Sequence, residues 1–190
     1  MPRGATEPQV RPGTEGDLTA LTDIYNHYVR ETVITFDTTP FSPQERRPWL
    51  LSHPEDGPHR LLVAQEADAG ADDRADDGRA DGRRVGGGRA LGYATSSAFR
   101  PRAAYATSVE VSVYLAPDAG GRGIGTLLYA RLFEALARED VHRAYAGIAL
   151  PNEPSVRLHT RFGFRHTGTF TQVGRKFGRY WDVAWYEKDL

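Results

Sequence analysis

Four glycines around one arginine form the stretch of the chain best suited to bind a charged group. They are Gly120, Gly121, Gly123 and Gly125, and the arginine is Arg122. Glycines let backbone N–H groups approach a ligand closely, and a helix that starts after them adds a partial positive charge. A polyphosphate or pyrophosphate suits such a turn, although a tight connection without a ligand has the same composition.

Two common nucleotide-binding motifs are excluded by the residues that follow. A P-loop needs a Lys-Ser or Lys-Thr pair for the terminal phosphates and magnesium, and neither pair follows the last glycine. The spacing of Gly121, Gly123 and Gly125 is GxGxG, whereas the dinucleotide-binding fingerprint is GxGxxG. The turn therefore belongs to a different class of site.

A strand and a helix must position this turn. Residues 109–115 alternate between apolar and polar side chains, which predicts a strand with two different faces. Glu110 lies on the polar face, together with Ser112 and Tyr114. Apolar residues return with helical spacing from Ile124 to Leu136. The sequence thus predicts a strand, a glycine turn and a helix, with one carboxylate just before the turn.

Composition narrows the class of protein. The chain has 190 residues and a net charge of −1, so its overall charge indicates neither a nucleic-acid surface nor a membrane patch. The absence of cysteine excludes disulfides, a thiol nucleophile and cysteine-ligated metal. Neither an N-terminal apolar segment nor a run near ~18 apolar residues occurs, so we expect a soluble cytoplasmic protein. The six histidines show no shared ligand spacing, and we predict no metal site.

The sequence pattern of the whole chain predicts the element order β-α-α-β-β-β-α-β-α-β-β. This order predicts an α/β fold with a mixed, mostly antiparallel sheet flanked by helices. We predict a flexible tail at residues 1–8 and one domain at residues 9–190. Residues 68–89 consist almost wholly of Asp, Arg, Ala and Gly, so we expect a disordered expansion of a hairpin loop.

Two details of this scheme can be checked directly against a structure. Ser42 to Glu45 is a capping box that predicts a second helix, with Trp49, Leu50 and Leu51 facing inward. Near the C-terminus, residues 174–179 are predicted to connect the last two strands.

Several ordered sequence blocks carry a resemblance to a known family. They are SVYLAP followed by GGRGIG, NEPSVRLHTRFGF, IYNHYV, TFDTTPFSPQE, FRPRAAY, TSVEVSVYL and VGRKFGRYWDV. Together they resemble the GNAT N-acetyltransferase superfamily and, within it, the phosphinothricin N-acetyltransferase group. One departure is Gly120, which stands where the superfamily usually has Gln or Arg. Because that loop acts largely through backbone amides, we expect it to keep its binding role, with some loss of preorganisation.

The resemblance implies a GNAT fold, acetyl-CoA as cosubstrate, a homodimer, and direct transfer of an acetyl group to a small amino-acid-like amine. The backbone of Val113, Tyr114 and Leu115 is expected to pair with the pantetheine arm as an added strand. The loop is expected to hold the pyrophosphate, through Gly120, Gly121, Arg122, Gly123, Ile124, Gly125 and Thr126. Asn152 and Ser155 are expected near the thioester.

Such a reaction needs a base, because only the neutral amine attacks a thioester. Glu110 matches the position of the family's catalytic glutamate, and burial of its strand face would raise the pKa of its carboxyl group. His159 matches the position at which many members protonate the leaving sulfur. The alternatives from the residues alone are a solvent-facing Glu110 and a His159 on the surface of a helix.

The resemblance also places substrate contacts. Arg100, Arg102 and Tyr105 are expected to bind an acidic group, since guanidinium groups suit carboxylates and phosphinates, unless they are ordinary surface residues. Phe36 is expected to form an apolar wall, with additional contacts from Arg175, Lys176 and Tyr180.

Two other functions remain open: acylation of a different small amine or peptide N-terminus, and a non-catalytic acyl-CoA sensor. The presence of both Glu110 and His159 argues against the sensor, which needs neither proton-transfer group.

Overall fold

The computed structural model describes residues 7–67 and 88–190. In these ranges the long elements are β1 (Gln9–Pro12), α1 (Leu18–Glu31), α2 (Pro43–Leu51), β2 (Arg60–Gln65), β3 (Ala90–Ala98), β4 (Ser108–Leu115), α3 (Ile124–Leu136), β5 (Arg143–Ala149), α4 (Glu153–Arg161), β6 (Arg165–Lys176) and β7 (Arg179–Asp189). The predicted order is confirmed. The predicted tail and insertion lie mainly outside the described residues and stay predictions.

The strands of the described ranges form one mixed sheet, in the order β1-β2-β3-β4-β5-β7-β6. All neighbouring strands are antiparallel except β4 and β5, which are parallel. A parallel pair needs a crossover connection, and α3 supplies it. The mixed, mostly antiparallel sheet predicted from the sequence is therefore confirmed.

The predicted capping box at the start of α2 is also confirmed. The Ser42 backbone N–H donates to the Glu45 carboxylate at 2.7 Å, and the Glu45 N–H donates to Ser42 Oγ at 3.3 Å. Leu50 is buried in the core, but Leu51 is 51% exposed, so the prediction that it faces inward is wrong. Consecutive helical residues point about 100° apart, which leaves Leu51 beyond the edge of the buried face.

None of the helices in the described ranges meets both the length and the hydropathy requirements of a membrane span.

Helices cover both faces of the sheet. α1 and α2 lie on the face that carries Tyr114, whose ring contacts those of Tyr25 and Tyr28 in α1. α3 packs against β2, β3 and β4 on the opposite face. Four of its buried side chains are among those whose spacing predicted a helix, and together with Tyr129 they form the centre of the core: Ile124, Leu128, Leu132 and Leu136.

The last hairpin is longer than the sequence indicates. β6 and β7 remain paired up to Lys176 and Arg179, so the turn contains only Phe177 and Gly178. The prediction of a connection over residues 174–179 is therefore wrong. A register irregularity between Phe170 and Gly174 interrupts the alternation of β6, and pairing resumes after it.

Gly92 marks a close approach of β3 to β4. A Cβ atom at this position would lie 2.7 Å from the carbonyl oxygen of Tyr114 and 2.7 Å from a methyl group of Leu115. We expect Gly92→Ala to lower the free energy of unfolding by about 2–3 kcal/mol, because the two strands must move apart. Urea denaturation measures this change. Gly168→Ala is the matched control, since a Cβ there meets nothing within 4 Å. Equal denaturation midpoints for the two variants would contradict the contact.

Candidate active site

β4 and β5 run side by side for only a short distance and then separate. Residues 108–110 pair with residues 143–145, and in the described part of the chain no register pair joins the strands beyond Glu110. The gap forms a narrow cleft whose lining includes both strands and α4: Ile34, Val111, Ser112, Val113, Tyr114, Gly147, Ile148, Ala149, Asn152, Ser155 and His159. A strand edge without a neighbour offers backbone N–H and C=O groups to a ligand.

The three residues predicted to pair with a ligand at this edge differ in the direction of their backbone N–H and C=O groups. Because antiparallel pairing alternates, Val113 and Leu115 direct their backbone groups away from β3, whereas Tyr114 bonds to it. The Tyr28 hydroxyl donates to the Leu115 carbonyl at 2.8 Å and accepts from the Leu115 N–H at 3.3 Å. Val113 can therefore pair with a ligand directly, while Leu115 first has to exchange Tyr28 for it.

The glycine-rich loop ends in a left-handed conformation at the start of α3. Gly121 and Gly123 have φ angles of +75° and +77°, which other residues rarely adopt. Gly123 is the N-cap of α3, and the first helical bond from the Leu127 N–H reaches its carbonyl oxygen at 3.0 Å. The three N–H groups before Leu127 have no partner within the helix. This geometry fits an anionic group at the helix N-terminus.

The other loop residues have different surroundings. Gly120 and Arg122 are exposed, and the nearest carboxylate in the described ion pairs of Arg122 is that of Glu66, at 3.9 Å. Gly125 is buried, and a Cβ there would lie 3.2 Å from a methyl group of Leu158. Gly125 thus permits close packing of α3 on α4, whereas Arg122 can still reach an anion in the loop.

Glu110 lies at the point where β4 and β5 separate. Its cross-strand neighbour in β3 is Ser97, and its neighbour in β5 is Tyr145. Among the described residues its carboxylate has neither an ion pair nor a side-chain hydrogen bond. Burial raises the pKa of Glu110, and the positive charge of Arg100 opposes this rise. A half-buried carboxylate with a raised pKa is suited to take a proton near neutral pH.

His159 is buried, and both ring nitrogens have partners. A carbonyl oxygen can only accept, so Nδ1 donates to the Ser155 carbonyl at 2.8 Å. Nε2 then accepts from the Tyr129 hydroxyl at 2.9 Å. Burial lowers the pKa of His159, which favours this neutral form. Donation of a proton to a leaving group would need a second ring proton, and the buried position opposes it.

Asn152 and Ser155 are held together at the start of α4. Asn152 is the N-cap, and its side-chain oxygen accepts from the Ser155 N–H at 3.2 Å. Both residues line the cleft between β4 and β5, and their position near the thioester stays a prediction.

A larger cavity of about 260 Å³ lies on the face of the sheet that α1 and α2 cover. Its lining is Tyr25, Asp37, Phe41, Glu45, Arg46, Trp49, Tyr93, Thr95, Ser97, Ser112 and Tyr114. Ser112 and Tyr114 also line the cleft, so the two spaces meet at β4. Glu110 precedes Ser112 on the same face and lies opposite Ser97. Glu110 itself lines neither space, but Ser97 and Ser112 beside it line the cavity and Val111 and Ser112 line the cleft, so the candidate base lies next to both.

Comparison with known proteins decides the family. Residues 87–185 match the family model described as an acetyltransferase (GNAT) domain. The chain is 66% identical over 187 residues to phosphinothricin N-acetyltransferase of Streptomyces coelicolor, covering 98% of this chain and 99% of the relative. The chain belongs to the GNAT acetyltransferase family.

Two further relatives are more distant in sequence but similar over most of the chain. An L-methionine sulfoximine/L-methionine sulfone acetyltransferase of Pseudomonas paraeruginosa is 31% identical, covering 95% of this chain and 94% of the relative. A solved GNAT phosphinothricin acetyltransferase of Sinorhizobium meliloti, in complex with acetyl-CoA, has a TM-score of 0.81 and 30% identity, covering 96% of this chain and 88% of that one. The GNAT fold expected from the resemblance is confirmed.

The predicted substrate residues of this GNAT chain lie in two places. Arg100, Arg102 and Tyr105 are exposed in the segment between β3 and β4. Arg100 lies 5.0 Å from the centre of the Phe99 ring, and the Tyr105 ring packs edge-on against the same ring. Because the charge of Arg100 influences the pKa of Glu110, this segment lies beside the candidate base.

Phe36 and the late hairpin form the second place. Phe36 packs closely on Gly174, where a Cβ would lie 2.4 Å from its ring. Lys176 is buried, and its ammonium group donates to the carbonyl oxygens of Thr35 and Tyr28 at 2.8 and 3.2 Å. Lys176 thus ties β6 to the segment after α1. Arg175 and Tyr180 are exposed on the hairpin and lie opposite each other.

Three residues at the site were not predicted from the sequence: Tyr129, Arg46 and Tyr93. Tyr129 is a fully buried phenol within the apolar stripe of α3, and a hydroxyl group in such a stripe signals a buried polar partner. Arg46 and Tyr93 lie in α2 and β3 and meet only in the folded chain.

Proposed function

We propose that this GNAT enzyme acetylates the α-amino group of a small amino acid or amino-acid analogue of the phosphinothricin or methionine sulfoximine type. The observation that carries the proposal is the position of Glu110 in the sheet. Its cross-strand neighbour Ser97 lines the cavity under α1 and α2, and the next residues of its own strand, Val111 and Ser112, line the cleft between β4 and β5. The names of the relatives support the same substrate class for those proteins.

The described residues fit acetyl-CoA as the cosubstrate, which supplies the activated acetyl thioester. The unpaired edge of β4 at Val113 is suited to the amide groups of the pantetheine arm. The free N–H groups at the start of α3, with Arg122 beside them, are suited to the pyrophosphate. Asn152 and Ser155 lie in the cleft, where the thioester is expected.

In the proposed mechanism Glu110 accepts the proton of the substrate ammonium group, directly or through water. The amine nitrogen then has a free electron pair for attack on the thioester carbon, and no acyl-enzyme is required. His159 remains our candidate near the departing sulfur. Its neutral form and its bond from Tyr129 indicate that it positions the Tyr129 hydroxyl, and a donor role requires protonation of Nε2.

We further propose that the enzyme acts as a cytoplasmic homodimer. Acetyl-CoA is a cytoplasmic metabolite, which supports the location. Several large apolar side chains are exposed on the hairpin of β6 and β7, where a second copy could cover them: Phe170, Val173, Phe177 and Tyr180. Sedimentation analysis distinguishes a dimer from a monomer.

The assay for the function follows thiol release from acetyl-CoA in the presence of different amines. The panel contains phosphinothricin, methionine sulfoximine, methionine sulfone, the common free amino acids and a short peptide with a free N-terminus. We expect saturable turnover of at least one amino acid or analogue, with little turnover of the peptide. Turnover of the peptide alone would support the alternative of N-terminal acetylation, and the absence of any turnover would refute the proposal.

A further inference from the structure

Arg46 occupies an unusual position for a charged side chain on a helix near the surface. It is 6% exposed, and its guanidinium carbon lies 4.1 Å from the centre of the Tyr25 ring and 3.9 Å from that of Trp49. The cation is thus held between two aromatic faces, which attract it electrostatically. Arg47, the next residue, is exposed and pairs with Glu15. Burial of Arg46 is therefore specific to its position above the cavity.

The guanidinium group lacks the partners that a buried charge normally has. Its Nη1 atom is buried and has no hydrogen-bond partner among the described residues. None of the ion pairs within residues 7–67 and 88–190 includes Arg46. The two carboxylates in the cavity lining have other partners: Asp37 accepts from the Tyr25 hydroxyl, and Glu45 accepts from Ser42.

Tyr93 provides a second unsatisfied group at the same place. Its hydroxyl oxygen is buried and, like Arg46 Nη1, has no hydrogen-bond partner in the described ranges. Burial raises the pKa of Tyr93, whereas the charge of Arg46 and a side-chain interaction with Arg46 that falls short of hydrogen-bond geometry oppose this rise, so the two groups are close neighbours. Buried polar groups in proteins are nearly always paired, and one cation with one neutral donor suits an oxyanion.

We propose that Arg46 and Tyr93 bind the acidic group at the far end of the substrate side chain and thereby select acidic amino acids and their analogues. This inference rests on the proposed function, because it assigns the orientation of the substrate in the cavity. The guanidinium donates to one oxygen of the acid, and the Tyr93 hydroxyl donates to the same group.

The position of Tyr93 along β3 supports binding of the acidic group at the far end of the substrate side chain rather than of the α-carboxylate. Ser97 lies opposite Glu110, and Tyr93 is four residues further along the same strand, a Cα separation of about 13 Å. The amine and the α-carboxylate of an amino acid share one carbon atom. An amine at Glu110 therefore keeps its α-carboxylate at that end, within reach of the segment that carries Arg100, and directs the side chain toward Arg46.

Phosphinothricin and methionine sulfone provide a matched pair of substrates for the test. Both are amino acids with a two-carbon spacer and a methyl-bearing tetrahedral end group, but the phosphinate is an anion and the sulfone is neutral. We expect Arg46→Met to lower the ratio of kcat/KM for phosphinothricin to that for methionine sulfone about 30-fold. Tyr93→Phe should lower it about fivefold. Arg47→Met is the control and should leave the ratio unchanged within about twofold.

Each outcome decides the inference. An unchanged ratio in Arg46→Met, or an equal loss for both substrates with acetyl-CoA affinity intact by calorimetry, would overturn it. If Arg46→Met fails to bind acetyl-CoA and is misfolded, an unchanged ratio in Tyr93→Phe overturns it instead. If the wild type acetylates neither compound, the proposed function still stands or falls on the wider panel of amines, and it fails if no amino acid or analogue is turned over. Calorimetric binding of phosphinothricin against methionine sulfone then tests the anion site alone, and equal affinities overturn it.

Discussion

Replacement of Glu110 with Gln should lower kcat about 100-fold or more while the affinity for acetyl-CoA stays within about twofold. Glutamine keeps the shape of the side chain, but its neutral amide cannot accept the substrate proton. The acetyl-CoA contacts proposed here are made by the β4 edge and the glycine-rich loop, which the substitution does not touch. Steady-state kinetics and calorimetry measure the two quantities.

The pH dependence of kcat/KM provides an independent test of Glu110 as the base. A base acts only when it is deprotonated, and burial raises the pKa of Glu110 above its ordinary range. We therefore expect kcat/KM to fall as the pH decreases through this raised pKa. Because the charge of Arg100 opposes the rise, Arg100→Met should move the acidic limb of the profile to higher pH. In Glu110→Gln this limb should disappear.

Glu134→Gln is the matched control for the loss of one carboxylate. Glu134 is exposed on α3, where it pairs with Arg131 and Arg138, and neither it nor the residues on either side of it in the sequence line the two spaces at the site. Its replacement should leave kcat and the pH profile unchanged. Near-normal turnover in Glu110→Gln, with its acidic limb retained, would remove Glu110 from the role of base.

The fold was predictable to the extent that it follows from local periodicity. The alternation in residues 109–115 and the helical spacing after Ile124 each reflect burial of one face, and both elements occur as predicted. The same alternation placed Glu110 on the face that borders the cavity. The end of β6 was missed because its bulge breaks the alternation locally, while pairing with β7 across the sheet continues.

The parts of the site that depend on contacts across the chain could not be predicted. Arg46 and Arg47 are adjacent arginines, and nothing local distinguishes the buried one from the exposed one. Their difference comes from the Tyr25 and Trp49 rings that enclose Arg46. Likewise, the bond from Tyr129 to His159 joins residues on two helices, and it changes the protonation expected of His159.

The second large effect is expected at the glycine-rich loop. Gly123→Val places a β-branched side chain at a φ of +77°, which costs about 1–2 kcal/mol or more. A Cβ at Gly123 would meet nothing within 4 Å, so the cost is conformational rather than a clash. If the loop relaxes to a right-handed conformation, the N–H groups at the start of α3 turn away from the anion. We expect the Kd for acetyl-CoA, measured by calorimetry, to rise about 10- to 30-fold.

Gly120→Val is the control that distinguishes strain at a left-handed residue from the simple loss of a flexible glycine. Gly120 lies outside the left-handed region, and a Cβ there also meets nothing within 4 Å. The affinity of Gly120→Val for acetyl-CoA should therefore change less than about twofold. The free energy of unfolding without ligand shows where the strain in Gly123→Val appears. If the loop holds its conformation, stability falls and affinity is kept; if the loop relaxes, stability is kept and affinity falls. Unchanged stability together with unchanged affinity would show that a left-handed residue 123 is not required, and the anion site would then have to be sought elsewhere.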